Sequence, residues 1–282
     1  MDALLPLGPA PRPTTDDDLA ARLGDTLVTL AAGRAQGLDA AKIVPVLDGA
    51  DLASLDVDLT GVAVGLPTGQ QAAVEHWRPT VAAREDATLR TLRIDAHPLT
   101  AVDLPVDVTA ELAGVRFAWV STDDGQVGAE LVEPTTDAPV TGSARVAVSR
   151  AGLAGTVQGM LAVALQSNGI QLTSFDLDVT QSGPRGAALK ASAGIRKGMF
   201  LSATITATAS AAVDDTMVLT VGDVQLSSGN PLVGAMLGAF RGKIEAAAGQ
   251  RIDLAASLPP GVHLTDVTLD VGDDVVIAAR LG

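Results

Sequence analysis

Over residues 201–211 the chain alternates without a break. Leu201, Ala203, Ile205, Ala207, Ala209 and Ala211 fall on one side, and Ser202, Thr204, Thr206, Thr208 and Ser210 fall on the other. A period of two predicts a β-strand, because successive side chains point to opposite faces of a sheet. One apolar and one hydroxyl face suit an antiparallel sheet that is dry on one side only. A slip of one residue would bury the hydroxyls, so the pattern also sets the register. Asp214-Asp215 then predicts a turn, with Met217, Leu219 and Val221 alternating on a return strand.

Similar alternation predicts strands over residues 57–64, 89–96, 102–108, 115–120, 127–132, 144–148, 170–179, 187–195, 252–258, 264–271 and 275–281. Several exceed the usual five or six residues. Three segments change to a helical period. Residues 16–34 carry Leu19, Leu23, Leu27 and Leu30 on one face, with Thr15 as cap and Asp16, Asp17 and Asp18 at the end where the helix dipole favours negative charge. Residues 150–166 carry Leu153, Val157, Met160, Leu161, Ala164 and Leu165, with Ser149 as cap and Asn168-Gly169 as stop. Residues 230–248 open on Asn230-Pro231, a good cap and first-turn pair, and place Val233, Met236, Leu237, Phe240 and Ile244 on one stripe.

Pro6, Pro9, Pro11 and Pro13 make residues 1–13 read as an extended, mobile arm ahead of a single domain spanning 14–282. Leu55-Asp56-Val57-Asp58-Leu59-Thr60 parallels Phe175-Asp176-Leu177-Asp178-Val179-Thr180. Either the domain consists of two helix-plus-sheet halves dividing near Ser149, or an acidic alternating strand has recurred in a chain rich in Asp and Leu.

Composition narrows the function classes. With 47% hydrophobic residues the chain can bury enough surface to order itself. Nineteen Lys and Arg against 33 Asp and Glu give a net charge of −14, which excludes a general nucleic-acid binder and opposes long-range attraction to an anionic membrane. Cysteine is absent, so disulfides, thiolate metal sites and a cysteine nucleophile are excluded. No apolar run approaches the roughly 20 residues of a spanning helix, and the first residues lack the basic and apolar regions of a secretory signal. A cytoplasmic location is therefore expected, the alternative being a mature form whose export signal has been removed.

Catalytic constellations do not emerge. His76, His97 and His263 are scattered, and the nucleophile-elbow, phosphate-loop and dinucleotide motifs are missing. Neither catalysis nor a cofactor or metal is expected. The doublets Asp123-Asp124, Asp214-Asp215 and Asp273-Asp274 lie between apolar alternations and read as turns, with calcium or paired-carboxylate chemistry as the sharper alternative. Arg196 and Lys197, in Ile195-Arg196-Lys197-Gly198-Met199-Phe200, form a small basic cluster suited to an anionic headgroup.

Only 2% of residues are aromatic, so the interior must be built from Ala, Val, Leu and Ile. Alanine on a strand leaves space. An empty apolar cavity costs about 24 cal/mol per Å³, whereas an acyl chain filling it gains about 0.8 kcal/mol per methylene. Either a ligand occupies that space or a helix packs closely against it.

The C-terminal stretch adds a resemblance. Asn230-Pro231-Leu232-Val233, Phe240-Arg241-Gly242-Lys243-Ile244, Leu258-Pro259-Pro260-Gly261-Val262 and Val275-Val276-Ile277-Ala278-Ala279-Arg280-Leu281 resemble the closing section of the actinobacterial LmeA-type phospholipid-binding family. Its members resemble tubular lipid-binding (TULIP) domains. The resemblance implies an α+β fold in which long, strongly coiled antiparallel sheets wrap around amphipathic helices. It also implies a lipid or fatty acyl partner held in a hydrophobic tunnel, with transient membrane contact. Leu201, Ala203, Ile205, Ala207, Val233, Met236, Leu237, Phe240 and Ile244 are the expected lining, and Arg196 and Lys197 the expected headgroup contacts. The alternative from another class is a structural or protein-interaction module with a dry, Ala-rich core. The oligomeric state is left open by either reading.

Overall fold

A computed structural model describes residues 4–31, 34–65, 77–167, 169–198, 201–230, 251–258 and 261–282. The chain divides into two compact units. Unit 1 comprises Met1–Val146, Leu258–Thr265 and Ala279–Gly282, and unit 2 comprises Ala147–Ser257 and Asp266–Ala278.

Unit 1 contains β1 (Leu4–Pro9), α1 (Asp16–Leu30), β2 (Ala35–Gln36), β3 (Lys42–Asp48), β4 (Asp51–Asp58), β5 (Ala63–Val64), β6 (Val81–Ala101), β7 (Leu104–Thr122) and β8 (Gln126–Leu131). The long hairpin β6–β7 is its spine, paired from Val81↔Thr122 to Ala101↔Leu104. Parallel to β6 runs β4, which pairs in turn with β3. On the other flank β8 joins β7, and β1 closes on β8. Thr15 caps α1 by accepting from the Asp18 amide at 3.3 Å, and the helix buries Leu19 and Thr26. Leu19 meets a core of Leu7, Leu52, Leu89, Phe117, Trp119 and Val127. The rings of Phe117 and Trp119 meet edge to face at 5.2 Å, and the Trp119 indole donates to the Ala50 carbonyl at 2.8 Å. Gly128 has no room for a side chain, since a Cβ there would strike the Trp77 ring and the Leu5 carbonyl.

The mobile arm expected over residues 1–13 is corrected from Leu4 onward. Leu4, Leu5 and Pro6 pair with Glu130, Ala129 and Gly128, and Leu7 is only 2% exposed. Arg22 donates to the carbonyls of Leu7 and Pro9, and Thr26 to that of Pro6. Proline lacks a donor but keeps its acceptor, and this edge strand is held largely through its carbonyls.

Unit 2 contains α2 (Arg150–Gln166), β10 (Gln171–Gln181), β11 (Gly186–Lys197), β12 (Leu201–Val213), β13 (Val218–Ser228) and β14 (Arg251–Asp253), and the five strands form one antiparallel sheet in that order. Three strands, β9 (Thr141–Ser149), β15 (Leu264–Val271) and β16 (Asp274–Leu281), contribute residues to both units. Within unit 2, Arg185 ties the β10–β11 connection to β15. Its guanidinium reaches Asp266 and Asp215 at 2.8 Å each and the Val267 carbonyl at 3.1 Å. Hydrogen bonding to Asp266, reinforced by Asp215, holds this guanidinium above its ordinary pKa.

The expected α+β architecture, with strongly coiled sheets wrapped around amphipathic helices, is overturned. Of the described residues 62% lie in strands and 15% in helices, and the sheets are not strongly curled. The reason lies in the helices. A helix enclosed by a sheet buries its apolar surface against that sheet. The first helix, α1, offers a single stripe. The second, α2, lies along the edge strand β10 with none of its residues buried. The helix expected over residues 230–248 falls outside the described residues, apart from Asn230. Among the described residues, no helix is long and apolar enough to cross a membrane.

Candidate ligand-binding face and basic cleft

The register of the unit 2 sheet assembles two chemically distinct faces. Ile205 stands opposite Ala193, Ala207 opposite Ala191 and Leu226, and Ala209 opposite Leu189. Those β11 residues stand in turn opposite Phe175, Leu177 and Val179 of β10. The opposite face carries Thr206 beside Ser192 and Ser227, and Thr208 beside Lys190 and Gln225. Asp176 and Asp178 extend it on β10.

Burial on the apolar face is incomplete. Val179, Ala193 and Ile195 are buried. Phe175, Leu177, Leu189, Ala191, Ala207, Ala209 and Leu226 keep part of their surface. Of the expected lining residues, Leu201, Ala203, Ile205 and Ala207 share this face of β12, and all four are half-buried. The alternation of burial is clean from Leu201 to Ile205; beyond it the hydroxyl residues are half-buried too. Val233, Met236, Leu237, Phe240 and Ile244 lie outside the described residues.

At one end of the sheet, α2 and the start of β10 border an open cleft of about 450 Å³, lined by Ala162, Gln166, Gly169, Ile170, Gln171, Leu172, Thr173 and Arg196. The cleft exists because α2 ends in a tight turn. The Gly169 amide donates to the Gln166 carbonyl and the Ile170 amide to that of Leu165, with Gly169 at a φ of 68°. The chain then runs back along the helix as β10, and β11 brings Arg196 opposite Gln171. The Arg196 guanidinium donates to the Gln171 side-chain oxygen at 3.3 Å. Both expected headgroup residues are exposed; Arg196 lines the cleft, and Lys197 is the next residue on the strand. Gln166, Gln171 and Thr173 escape sequence reasoning. The only signal that could have found them is the stop at Asn168-Gly169, which folds the helix end onto the next strand.

The doublets sit where turns were expected. Asp123-Asp124 joins β7 to β8, Asp214-Asp215 joins β12 to β13, and Asp273-Asp274 leads from the β15–β16 bend into β16, whose first residue is Asp274. The Asp214 carboxylate accepts from the Thr216 hydroxyl at 2.6 Å and from the Thr216 and Val218 amides at 2.9 and 3.0 Å. These bonds, the Thr216 hydroxyl foremost, hold its pKa below the ordinary 3.8. His97 lies between Asp95 and Asp107 at 3.9 and 3.6 Å, exposed, and His263 is exposed just ahead of β15. His76 is outside the described residues. Among the described residues no three His, Asp or Glu side chains gather as a metal site. No protein family, curated protein or solved structure matches this chain.

Proposed function

We propose that the chain binds lipid or another elongated apolar ligand, without catalysis, on the apolar face of the unit 2 sheet. The observation that carries this reading is the row Leu177, Ala191, Ala207 and Leu226, with Leu189 beside it, in which two alanines stand between leucines on neighbouring strands and every member keeps part of its apolar surface. An acyl chain lying across that row gains about 0.8 kcal/mol per methylene removed from water. Association itself costs several kcal/mol, so the ligand must be long. The resemblance of the closing section to phospholipid-binding proteins supports the same ligand class.

Displacement of a fluorescent fatty acid by saturated acids of increasing length tests the reading. Four further methylenes strengthen binding by about 3 kcal/mol, or roughly two hundredfold. Absence of saturable binding, or affinity independent of chain length, refutes it. A second reading, a protein-interaction module, is favoured by one observation. Among the described residues β14 pairs with Val218, Leu219 and Thr220 only, and this reading takes the remainder of β13 as the edge that a partner strand would extend.

A further inference from the structure

Unit 1 leaves one strand of its sheet with a single partner. Among the described residues β3 pairs with β4 alone, so its other side is an edge. An edge presents backbone N–H and C=O groups to which another strand can add. The side chains of β3 invite such addition. Val44 and Val46 are β-branched, stand two residues apart, and are 54% and 40% exposed.

The backbone of β3 opposes it. The Leu47 amide turns away from β4 and donates to the Asp16 carboxylate, in the first turn of α1, at 2.8 Å. In an antiparallel strand the backbone groups of alternate residues share a side. The register shift beside Leu47 skips Ala53 of β4 and leaves β3 regular. Ile43 and Pro45 therefore face outward with Leu47. Pro45 has no N–H to give. Of three outward positions, one lacks its donor and one has its donor engaged, which leaves at most the Ile43 amide for a new ladder.

The same helix lies against the other edge. Among the described residues β1 pairs with β8 alone, and its Pro6 and Pro9 lack an N–H. The carbonyls of Pro6, Leu7 and Pro9 accept from Thr26 and Arg22 of α1. Asp16, Arg22 and Thr26 thus direct the polar groups of one helix onto the backbones of two edge strands.

We infer that α1 and Pro45 guard the unit 1 sheet against strand addition by a second copy of the chain, with Asp16 and Pro45 the residues that keep β3 unpaired. A second copy is the strand present wherever the protein is. Two β3 edges related by a twofold axis through Pro45 would set Val44 of each against Val46 of the other. This role is independent of the ligand reading, which concerns unit 2.

Sedimentation velocity of the full chain over about 5–100 μM tests it. Asp16→Ala with Pro45→Val raises the mean mass at the highest concentration toward about twice that of the wild type. Each single substitution raises it less, in the same direction. Adding Val44→Lys and Val46→Lys to the double variant restores the wild-type mass, because like charges then stand opposite each other across the new pair. Asp17→Ala is the control. It removes a carboxylate from the same helical turn but leaves the Asp16 bond to Leu47 in place, so the mass stays at the wild-type value. Pro45 is buried, so circular dichroism verifies that each variant folds. If the double variant unfolds, Asp16→Ala alone carries the test, at an exposed position. No rise in the folded variants overturns the inference. So does an equal rise with Asp17→Ala, which would reduce Asp16 to a support of its helix, or a rise that the lysines do not reverse.

Discussion

Ala207→Trp places the largest side chain at the centre of the open apolar row. Ala207 lies between Ala191 on one neighbouring strand and Leu226 on the other, and all three are half-buried. An indole here lies over the small Ala191 on one side and against the Leu226 side chain on the other. Cross-strand aromatic contacts of this kind contribute roughly 0.2–1 kcal/mol, so thermal unfolding stays unchanged or moves slightly upward. The same ring covers about 100 Å² of the surface offered to a ligand, which at about 25 cal/mol per Å² removes about 2.5 kcal/mol of binding, close to seventyfold. Fluorescent fatty-acid displacement and thermal unfolding of the same variant read the two quantities together, with Ile205→Trp as a parallel substitution two residues along the face. A loss of about 1–3 kcal/mol of stability would mean that the row is already packed dry, and unchanged ligand affinity in both variants would mean that the ligand lies elsewhere. Either result refutes the reasoning.

Three further outcomes follow from the geometry. Leu7→Ala costs about 3 kcal/mol or more in denaturant unfolding, because β1 is part of the unit 1 core; a cost below about 1 kcal/mol would return the segment to a loose arm. Val102 and Asp103 turn the β6–β7 hairpin with φ of 50° and 64°, so Val102→Asn with Asp103→Gly raises the thermal midpoint, by about 1 kcal/mol of stability; no gain would contradict the strained turn. Asp214 has a depressed pKa, so its contribution is fully present above the ordinary 3.8 and is lost as the pH falls through its lower folded value. Asp214→Asn therefore flattens the acid limb of the stability curve below about pH 4, measured by urea unfolding across pH, and an unaltered limb would contradict this.

The parts of the fold legible in the sequence were those written in local chemistry. Thr15 and Ser149 cap the two helices as their positions predict, the latter accepting from the Gly152 amide at 3.0 Å. The paired registers of β11, β12 and β13 follow the alternation over residues 201–211. Expectation failed where tertiary pairing overrode local signals. The 21-residue β6 contains Pro98 at a register shift and a polar run, Arg84-Glu85-Asp86, so only its apolar middle read as strand. Val102-Asp103 carries none of the Asn-Gly or Asp-Gly chemistry of a tight hairpin, and residues 102–108 consequently read as one strand rather than a turn followed by β7. Proline-rich β1 read as an arm because its partner, β8, lies more than a hundred residues away. For the candidate site, the alanine row and Arg196 were visible in sequence. The cleft was not, because Gln166, Gln171 and Thr173 meet only when β10 folds back along α2.

The central claim is that an elongated apolar ligand rests on the unit 2 sheet. Native mass spectrometry of the chain purified from its own source tests it most directly. The account predicts a mass above that of the 28.4 kDa polypeptide by one lipid or fatty acid, released by organic solvent and diminished in Ala207→Trp. A clean polypeptide mass that stays unchanged after incubation with fatty acids and phospholipids would contradict it.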